Sequence, residues 1–217
     1  MRKSLLLSFV LLTHFTWSQN LVLNPDLETY SPCPSGIGSL ESAANWFCPN
    51  TTCTSEYFNT CSTSPYSRVP KNYWGYEEPH CGNGYGGIYL WDASGLSYRE
   101  YMVVKLADTL EAGQCYDLTF YVSLGNNCML TTDAIGAKFR YTLDTNLYTT
   151  FPGMAPAHIS NPTGTFFDTL GWTPVNGTYT ATGGEKFLLI GNFEHDSSTD
   201  TLHYNTSASL NVIYVYI

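Results

Sequence analysis

The sequence has few charged residues for its length. They make up 12% of its 217 residues, about half of the roughly 25% that is usual in soluble proteins. Basic residues are the scarcest: 9 Lys and Arg stand against 18 Asp and Glu, for a formal net charge of −9. Because phosphate contacts need clustered Lys and Arg, this balance disfavours nucleic-acid binding. Long surface helices are excluded as well, since they need strong helix formers and charges on the face toward water.

Motifs of common hydrolases are missing. The sequence contains neither Gly-x-Ser-x-Gly nor His-Glu-x-x-His. Two acid–base groupings remain, Glu194–Asp196 and Glu77–His80, and the first of them begins a loop rich in Ser and Asp, where solvated charge is the ordinary interpretation. The spacing of two catalytic carboxylates does not follow from sequence. We therefore expect no enzymatic activity, with a polysaccharide hydrolase or lyase as the alternative.

Aromatic residues are abundant where charge is not. They form 15% of the sequence and include 17 Tyr. Disordered chains are poor in aromatic and β-branched residues, so intrinsic disorder is excluded. Thr, Ser, Asn and Gly supply the polarity that Lys and Glu usually provide. This composition is typical of a β-rich protein that works outside the cell.

The N-terminus has the pattern of a secretory signal over Met1–Ser18. Arg2 and Lys3 precede an apolar run, Leu5–Leu12, and small residues approach the expected cleavage site. The run is shorter than the roughly 20 residues that cross a bilayer, and no later segment is a candidate, so we expect no transmembrane segment. An uncleaved anchor or a buried strand is the alternative. The pattern predicts a mature domain over 19–217 that is secreted or held at the cell surface or outer envelope.

All seven cysteines follow this signal: Cys33, Cys48, Cys53, Cys61, Cys81, Cys115 and Cys128. In an exported protein they are more often disulfides than metal ligands. A zinc knot would need paired Cys-x-x-Cys spacings, and none occurs. Connectivity does not follow from sequence, but we expect Cys33 and Cys61 to close the turn-rich N-terminal loop. The odd number leaves one thiol free or pairing outside the domain.

Two segments, Tyr116–Leu124 and Ile135–Leu143, alternate between apolar and polar residues with period two. This pattern predicts half-buried strands. Further strand candidates are Gly87–Trp91, Arg99–Leu106, Thr178–Ala181, Phe187–Phe193 and Leu210–Ile217, while Ser39–Trp46 alone has a helical pattern. Short strands separated by turn residues over about 200 positions predict one all-β domain, a two-sheet antiparallel sandwich.

The last strand candidate, Leu210–Ile217, is apolar on both faces. Such a strand is typical of the centre of a sheet, since both of its faces are covered. A central strand at the very end of the sequence leads us to expect a fragment, with the domain truncated at its C-terminal strand.

Residues 20–28 resemble the opening "N-L-V-x-N-P-x-F-E" of jelly-roll domains like carbohydrate-binding modules. Other stretches of the same pattern follow in order: Cys33-Pro34, Asn45-Trp46, Glu56–Cys61, Val69–Asn72, Gly84–Ile88, Tyr98–Tyr101, Ile135–Ala137 and Gly183–Phe193. The series is similar to the N-terminal jelly-roll domain of secreted or surface proteins of gliding-type bacteria. That domain often precedes an OmpA-like peptidoglycan-binding domain or a type 9 secretion sorting domain. The resemblance implies a jelly roll with a cysteine-rich N-terminal loop region.

The resemblance also implies a structural calcium. In related jelly rolls, an Asp after the last strand joins a Glu of the first strand at the ion, and Glu28 matches that first-strand position. The second carboxylate has no counterpart before Ile217, and a calcium ion takes six to eight oxygens. A solvated charge at the strand end is the alternative for Glu28. Cys48 and Cys53 depart from the family pattern as additions.

Sandwich domains that bind sugars use aromatic faces flanked by polar side chains, because rings bury much area at little entropic cost. The candidate rings lie outside the alternating core pattern: Tyr57, Tyr73, Trp74, Tyr76, Tyr85, Trp91 and Tyr98. Packing over the ends of the sandwich is the competing explanation for each. Arg99 belongs to the predicted strand segment Tyr98-Arg99-Glu100-Tyr101, where it is flanked by two tyrosines. It is a candidate ligand for hydroxyl or carboxylate groups, with a structural ion pair as the alternative.

These observations lead to three functional hypotheses. The first is a non-catalytic extracytoplasmic recognition module that binds glycan or serves surface adhesion. The second is a protein–protein interaction domain of a cell-envelope assembly, whose partner is a cell-envelope protein. The third is the hydrolase or lyase already mentioned.

Overall fold

The regular structure of this protein is almost entirely β. A computed structural model describes residues 19–49, 53–95, 98–143 and 156–217, which contain twelve strands and one short 3-10 helix, Leu40–Ser42. The predicted all-β class is confirmed, and the helical pattern over Ser39–Trp46 produces only this 3-10 turn. The predicted signal lies outside the described residues.

Ten of the strands form two antiparallel five-stranded sheets. In spatial order, the first sheet contains β1 (Trp46–Phe47), β4 (Tyr101–Lys105), β10 (Phe187–Gly191), β7 (Gly136–Arg140) and β8 (Ile159–Ser160). The second contains β2 (Glu56–Asn59), β3 (Gly84–Asp92), β12 (Val212–Tyr216), β5 (Cys115–Leu124) and β9 (Thr173–Thr180). The two other strands, β6 (Leu130–Thr132) and β11 (Thr201–His203), pair with each other.

The chain crosses repeatedly between the two sheets, so that strands next to each other in sequence are seldom next to each other in a sheet. The order β3-β12-β5-β9 in one sheet against β4-β10-β7-β8 in the other is that of a jelly roll, with β2 and β1 added at the edges. Apolar side chains from both sheets form one continuous core cluster. The predicted two-sheet antiparallel sandwich is confirmed.

The strands predicted from alternation are present with altered ends. In β5, Phe120, Val122 and Leu124 are buried as expected. The other segment is shorter than predicted, because β7 ends at Arg140. Its predicted wet face is also wrong at Lys138, which is buried, and the ammonium group donates a hydrogen bond to the Pro156 carbonyl oxygen at 2.8 Å.

The last strand lies where its sequence predicts. β12 is the central strand of the second sheet, between β3 and β5. Ile213, Tyr214, Val215 and Tyr216 are all fully buried. Two apolar faces are explained by two covering layers, with the first sheet on one side and a long loop on the other.

That loop spans residues 62–80 and is called the tyrosine loop below. It follows β2, covers the outer face of the second sheet and returns to the start of β3. The sandwich therefore has a third layer over one sheet. This layer consists of turns and isolated bridges, with Lys71 bridged to Tyr76 and Asn59 to Arg68.

Two disulfides fasten the N-terminal region. Cys33 is bonded to Cys61, which confirms the expected closure, and Cys48 is bonded to Cys53. Cys81, Cys115 and Cys128 remain thiols, so three rather than one are left over. The two disulfides fit an oxidising, non-cytoplasmic compartment. Among the described residues, no helix has the length and apolar character needed to cross a membrane.

Candidate functional site

Two tight turns give the tyrosine loop its shape. In the first, the backbone N–H groups of Ser67 and Arg68 donate to the Ser64 carbonyl oxygen; in the second, the Asn72 N–H donates to the Gly75 carbonyl oxygen. Gly75 has a φ of 154°, and a Cβ at this position would lie 2.4 Å from the Asn126 side-chain oxygen. Only glycine fits this close approach, so the second turn is pressed against the segment that follows β5.

Trp74 anchors the loop to the sheet beneath it. Its ring stacks on that of Tyr214 with centroids 4.4 Å apart and planes 20° from parallel. An edge-to-face contact joins it to Phe58 at 5.7 Å, and its Nε1–H donates to the Tyr89 hydroxyl at 3.2 Å. The indole is therefore buried on every side, with its one polar atom satisfied.

Polar contacts hold the rest of the loop. The Asn72 side-chain oxygen accepts hydrogen bonds from the Tyr216 hydroxyl at 2.8 Å and from the backbone N–H of Trp74 at 3.0 Å. The Ser123 hydroxyl donates to the buried Glu77 carboxylate. Trp172 Nε1–H donates to the Glu78 carbonyl oxygen at 2.9 Å. Tyr216 lies on β12, Ser123 lies on β5, and Trp172 directly precedes β9. The loop is therefore fixed at several points along the sheet.

Three tyrosine rings of this fixed loop face solvent. Tyr66, Tyr73 and Tyr76 are 37%, 46% and 51% exposed. The rings of Tyr66 and Tyr73 lie against each other with centroids 5.5 Å apart. The Tyr76 hydroxyl donates to the Glu78 carboxylate at 2.6 Å, a hydrogen bond that raises the pKa of Tyr76.

Charged groups flank these rings. Arg68 and Lys71 are exposed on the same loop, and Arg68 Nε–H donates to the Lys71 carbonyl oxygen at 2.6 Å. The Tyr73 carbonyl oxygen accepts from the Asn127 side chain at 2.7 Å, which fixes the backbone under its ring. The surface thus offers flat apolar faces beside hydrogen-bond donors and acceptors on a fixed backbone. Such a surface suits a ligand that has both apolar faces and hydroxyl groups.

Three of the candidate ligand rings are buried, as the competing explanation of packing expects. Tyr57 lies inside the sandwich, where its hydroxyl donates to the Leu27 carbonyl oxygen at 2.7 Å. Trp74 is the loop anchor described above. Tyr85 lies under the loop and donates to the Glu77 carbonyl oxygen at 3.0 Å. Their rings are taken up by core packing, so of the predicted set only Tyr73 and Tyr76 belong to the exposed ring surface.

The remaining predicted residues lie apart from that surface. Trp91 is half-buried near the end of β3. Tyr98 is also half-buried, and its hydroxyl donates to Glu100 at 2.8 Å. Arg99 is buried in an ion pair with Asp196, so the structural alternative describes it better than the ligand hypothesis.

Both carboxylate oxygens of Glu28 accept hydrogen bonds from the start of β3. One oxygen accepts from the Asn83 N–H at 2.7 Å and the Gly84 N–H at 3.0 Å, and the other accepts from the Asn83 side-chain amide at 2.9 Å. These donors direct positive partial charge at the carboxylate, where a cation would otherwise lie. Among the described residues, no group of three acidic, His or Cys side chains is placed to hold a metal ion. Calcium at Glu28 stays a prediction.

Two carboxyl groups are buried near the loop anchor. Glu56 Oε2 accepts from the Tyr214 hydroxyl at 2.6 Å, while Glu100 accepts from the hydroxyl groups of Thr54 and Tyr98. Burial raises the pKa of Glu56 well above its ordinary value, and the nearby charge of Glu100 raises it further. In the fold, both effects favour the neutral form of the Glu56 carboxyl group. Glu56 and Glu100 are both closed off from solvent, so we interpret this pair as part of the packed interior.

Tyr66 was missed by sequence reasoning. It follows Ser64-Pro65 in a turn-rich stretch, and that pattern predicts a loop tip but does not separate Tyr66 from the other tyrosines. The sequence feature that could have identified Tyr66 is its position far from any segment with period-two alternation, a feature that Tyr73 and Tyr76 share.

No protein-family model matches this sequence, and no curated protein has significant similarity to it. The similarity to jelly-roll domains of gliding-type bacteria stays a prediction. The geometry of the tyrosine loop is therefore the basis for assigning a function.

Proposed function

We propose that this protein is a non-catalytic recognition module of the cell exterior that binds glycan through the exposed rings of the tyrosine loop. The observation that carries the proposal is the pairing of exposure with anchoring: Tyr66, Tyr73 and Tyr76 face solvent on a loop that Trp74 fixes to the sheet. A rigid ring binds with a small loss of entropy, because its backbone is already ordered before the ligand arrives. The two disulfides support the exterior location.

A glycan fits this surface better than a highly charged ligand does. A pyranose ring presents an apolar C–H face, which stacks on tyrosine, and hydroxyl groups at its edge. Arg68, Lys71 and Glu78 are exposed around the rings and supply hydrogen bonds of both kinds. A protein partner that buries the same rings is the competing function, and it needs a larger contact area than three side chains provide.

A glycan array tests the proposal and separates these two functions. The chain from Gln19 to Ile217 is screened on polysaccharides that include peptidoglycan fragments. We expect retention on a restricted set of glycans, and loss of that retention when Tyr66, Tyr73 and Tyr76 are all replaced by Ala. The matched control is Tyr141→Ala, which removes a ring that is 50% exposed at the end of β7. Silence across the whole array overturns glycan binding and favours the protein partner.

A further inference from the structure

Two of the few basic side chains lie beside the exposed rings of the tyrosine loop. Of the 9 Lys and Arg in the sequence, Arg68 and Lys71 are the two that belong to this loop, and they are called the basic pair below. Arg68 is two positions from Tyr66, and Lys71 is two positions from Tyr73. In both cases the residue between is buried while the ring and the basic side chain are exposed. Each ring therefore has a cation beside it on the solvent side of the loop.

Contacts within the loop join these side chains into one surface. The rings of Tyr66 and Tyr73 lie against each other, and the Tyr73 backbone N–H donates to the Pro65 carbonyl oxygen at 2.8 Å. Lys71 is bridged to Tyr76. Because residues directly across an antiparallel bridge point to the same face, the Lys71 ammonium group and the Tyr76 ring lie side by side.

The guanidinium group of Arg68 is oriented by the loop itself. Its Nε–H donates to the Lys71 carbonyl oxygen at 2.6 Å, and its backbone N–H donates to the Ser64 carbonyl oxygen at 3.0 Å. In the part of the chain that the structure describes, no protein group accepts a hydrogen bond from either terminal nitrogen. The edge formed by these two nitrogens is the one that binds a carboxylate with two parallel hydrogen bonds.

The basic pair has no acidic partner in the fold. Within the described ranges, no Asp or Glu oxygen lies within 4.0 Å of a side-chain nitrogen of Arg68 or Lys71. The loop contains two acidic residues. Burial raises the pKa of Glu77, which favours its neutral form, and Glu78 is already hydrogen-bonded to a tyrosine hydroxyl group of the loop. The positive charge of the basic pair is therefore available to a ligand.

One guanidinium and one ammonium group suit a ligand with sparse negative charge. Polyanions such as nucleic acids are bound by clustered Lys and Arg, and the formal net charge of −9 opposes them further. A uronic acid has one carboxylate on a sugar ring that also presents an apolar C–H face and hydroxyl groups. The ring face suits the tyrosines, and the carboxylate suits the basic pair.

We propose that the glycan bound by the tyrosine loop is an acidic one that contains uronic acid. Its carboxylate binds the terminal nitrogens of Arg68, with the Lys71 ammonium group beside it, and its sugar ring lies on the pair formed by Tyr66 and Tyr73. This inference rests on glycan binding by the loop and names the class of that glycan. Hydrogen bonds between charged groups are about twice as strong as neutral ones, so the carboxylate decides which glycan is preferred.

Three uronate polymers in matched forms test the inference: alginate, hyaluronan and polygalacturonate, each intact and carboxyl-reduced. Reduction converts every carboxylate into a primary alcohol and keeps the sugar ring. Calorimetric titration of the chain from Gln19 to Ile217 at neutral pH measures the affinities. We expect at least one intact polymer to bind, and its reduced form to bind at least about tenfold more weakly, the usual effect of losing a hydrogen bond to a charged group.

Charge variants locate the carboxylate. Lys71→Gln removes the ammonium group but keeps the carbonyl oxygen that orients Arg68, and Arg68→Gln removes the guanidinium group. Each is expected to weaken binding of the intact polymer by about tenfold and to change binding of the reduced form by less than about twofold. Lys105→Gln, which removes an exposed cation at the end of β4 in the first sheet, is the matched control and should change neither. Matching urea midpoints for the wild type and the variants separate loss of charge from loss of fold.

Equal affinity for the intact and reduced polymers would overturn the acidic class. Glycan binding by the loop would still stand if replacing Tyr66, Tyr73 and Tyr76 by Ala abolished both affinities. Retention of neutral glycans alone on the array, or stronger binding of dextran sulfate than of any uronate polymer, would likewise overturn this inference and leave the loop as a glycan site. No binding to any glycan would overturn both proposals.

Discussion

The indole of Trp74 stacks on the phenol ring of Tyr214 with their centroids 4.4 Å apart. Tyr214 lies on the central strand of the second sheet, whereas Trp74 lies at the tip of a loop that has no regular structure of its own. This contact is one of several that join the third layer to the sandwich. It also holds the neighbouring Tyr73 in place with its ring toward solvent.

We expect Trp74→Ala to lower the free energy of unfolding by about 3–5 kcal/mol, the usual cost of deleting a buried large aromatic side chain. Urea unfolding followed by circular dichroism measures this loss. Trp74→Phe keeps a ring on Tyr214 but removes the hydrogen bond to Tyr89, so its loss should be smaller. Equal losses for the two variants would show that ring stacking does not anchor the loop.

We expect stability to fall as the pH rises above about 4.5, the ordinary pKa of the Glu56 carboxyl group. Burial and the charge of Glu100 raise the pKa of Glu56 in the fold. Between the pKa of Glu56 in the unfolded chain and its higher pKa in the fold, the native state binds more protons than the unfolded state. The free energy of unfolding therefore falls as the pH rises through this interval. The free energy of unfolding in urea at pH 5 and pH 8 checks this.

Glu56→Gln removes the titrating group and should flatten that fall. Glu41→Gln changes an exposed carboxyl group and is the matched control, which should leave the fall unchanged. A pH dependence that is identical in the wild type and Glu56→Gln would contradict a protonated Glu56 in the fold.

The two disulfides should differ in their contribution to stability. Cys33 and Cys61 are 28 residues apart in sequence, and Cys48 and Cys53 only 5. Since the loop-closure model makes longer loops more stabilising, replacing Cys33 and Cys61 by Ala should cost about 3–4 kcal/mol, and replacing Cys48 and Cys53 about 2 kcal/mol. Urea unfolding of the two double variants gives the comparison. A larger loss from the shorter loop would contradict this order.

The longer strands could be predicted because the order of apolar and polar residues along each of them indicates which faces are buried. Alternation in β5 identifies its core face, and two apolar faces identify β12 as a central strand. The two-residue strands β1 and β8 were missed, since they exist only through pairing with β4 and β7. Their residues carry no alternation long enough to detect.

The candidate site was predicted only in part, because a third layer leaves no periodic signal. Tyr73, Trp74 and Tyr76 are neighbours in one loop, yet the middle ring is buried and the other two are exposed. What decides between them is which ring meets Tyr214, a contact 140 residues away in the chain. Tyr85 is buried for the same reason, since the tyrosine loop covers it, whereas Tyr57 points from β2 into the sandwich and donates to the Leu27 carbonyl oxygen.

The most direct test of glycan binding by the tyrosine loop is calorimetric titration of Tyr73 variants with an oligosaccharide of the strongest array signal. Tyr73→Ala should weaken binding by about tenfold or more, as loss of a central aromatic contact usually does. Tyr73→Phe keeps the ring face and should stay within about twofold of the wild type, as should the control Tyr141→Ala. An unchanged dissociation constant for Tyr73→Ala would contradict the proposed site.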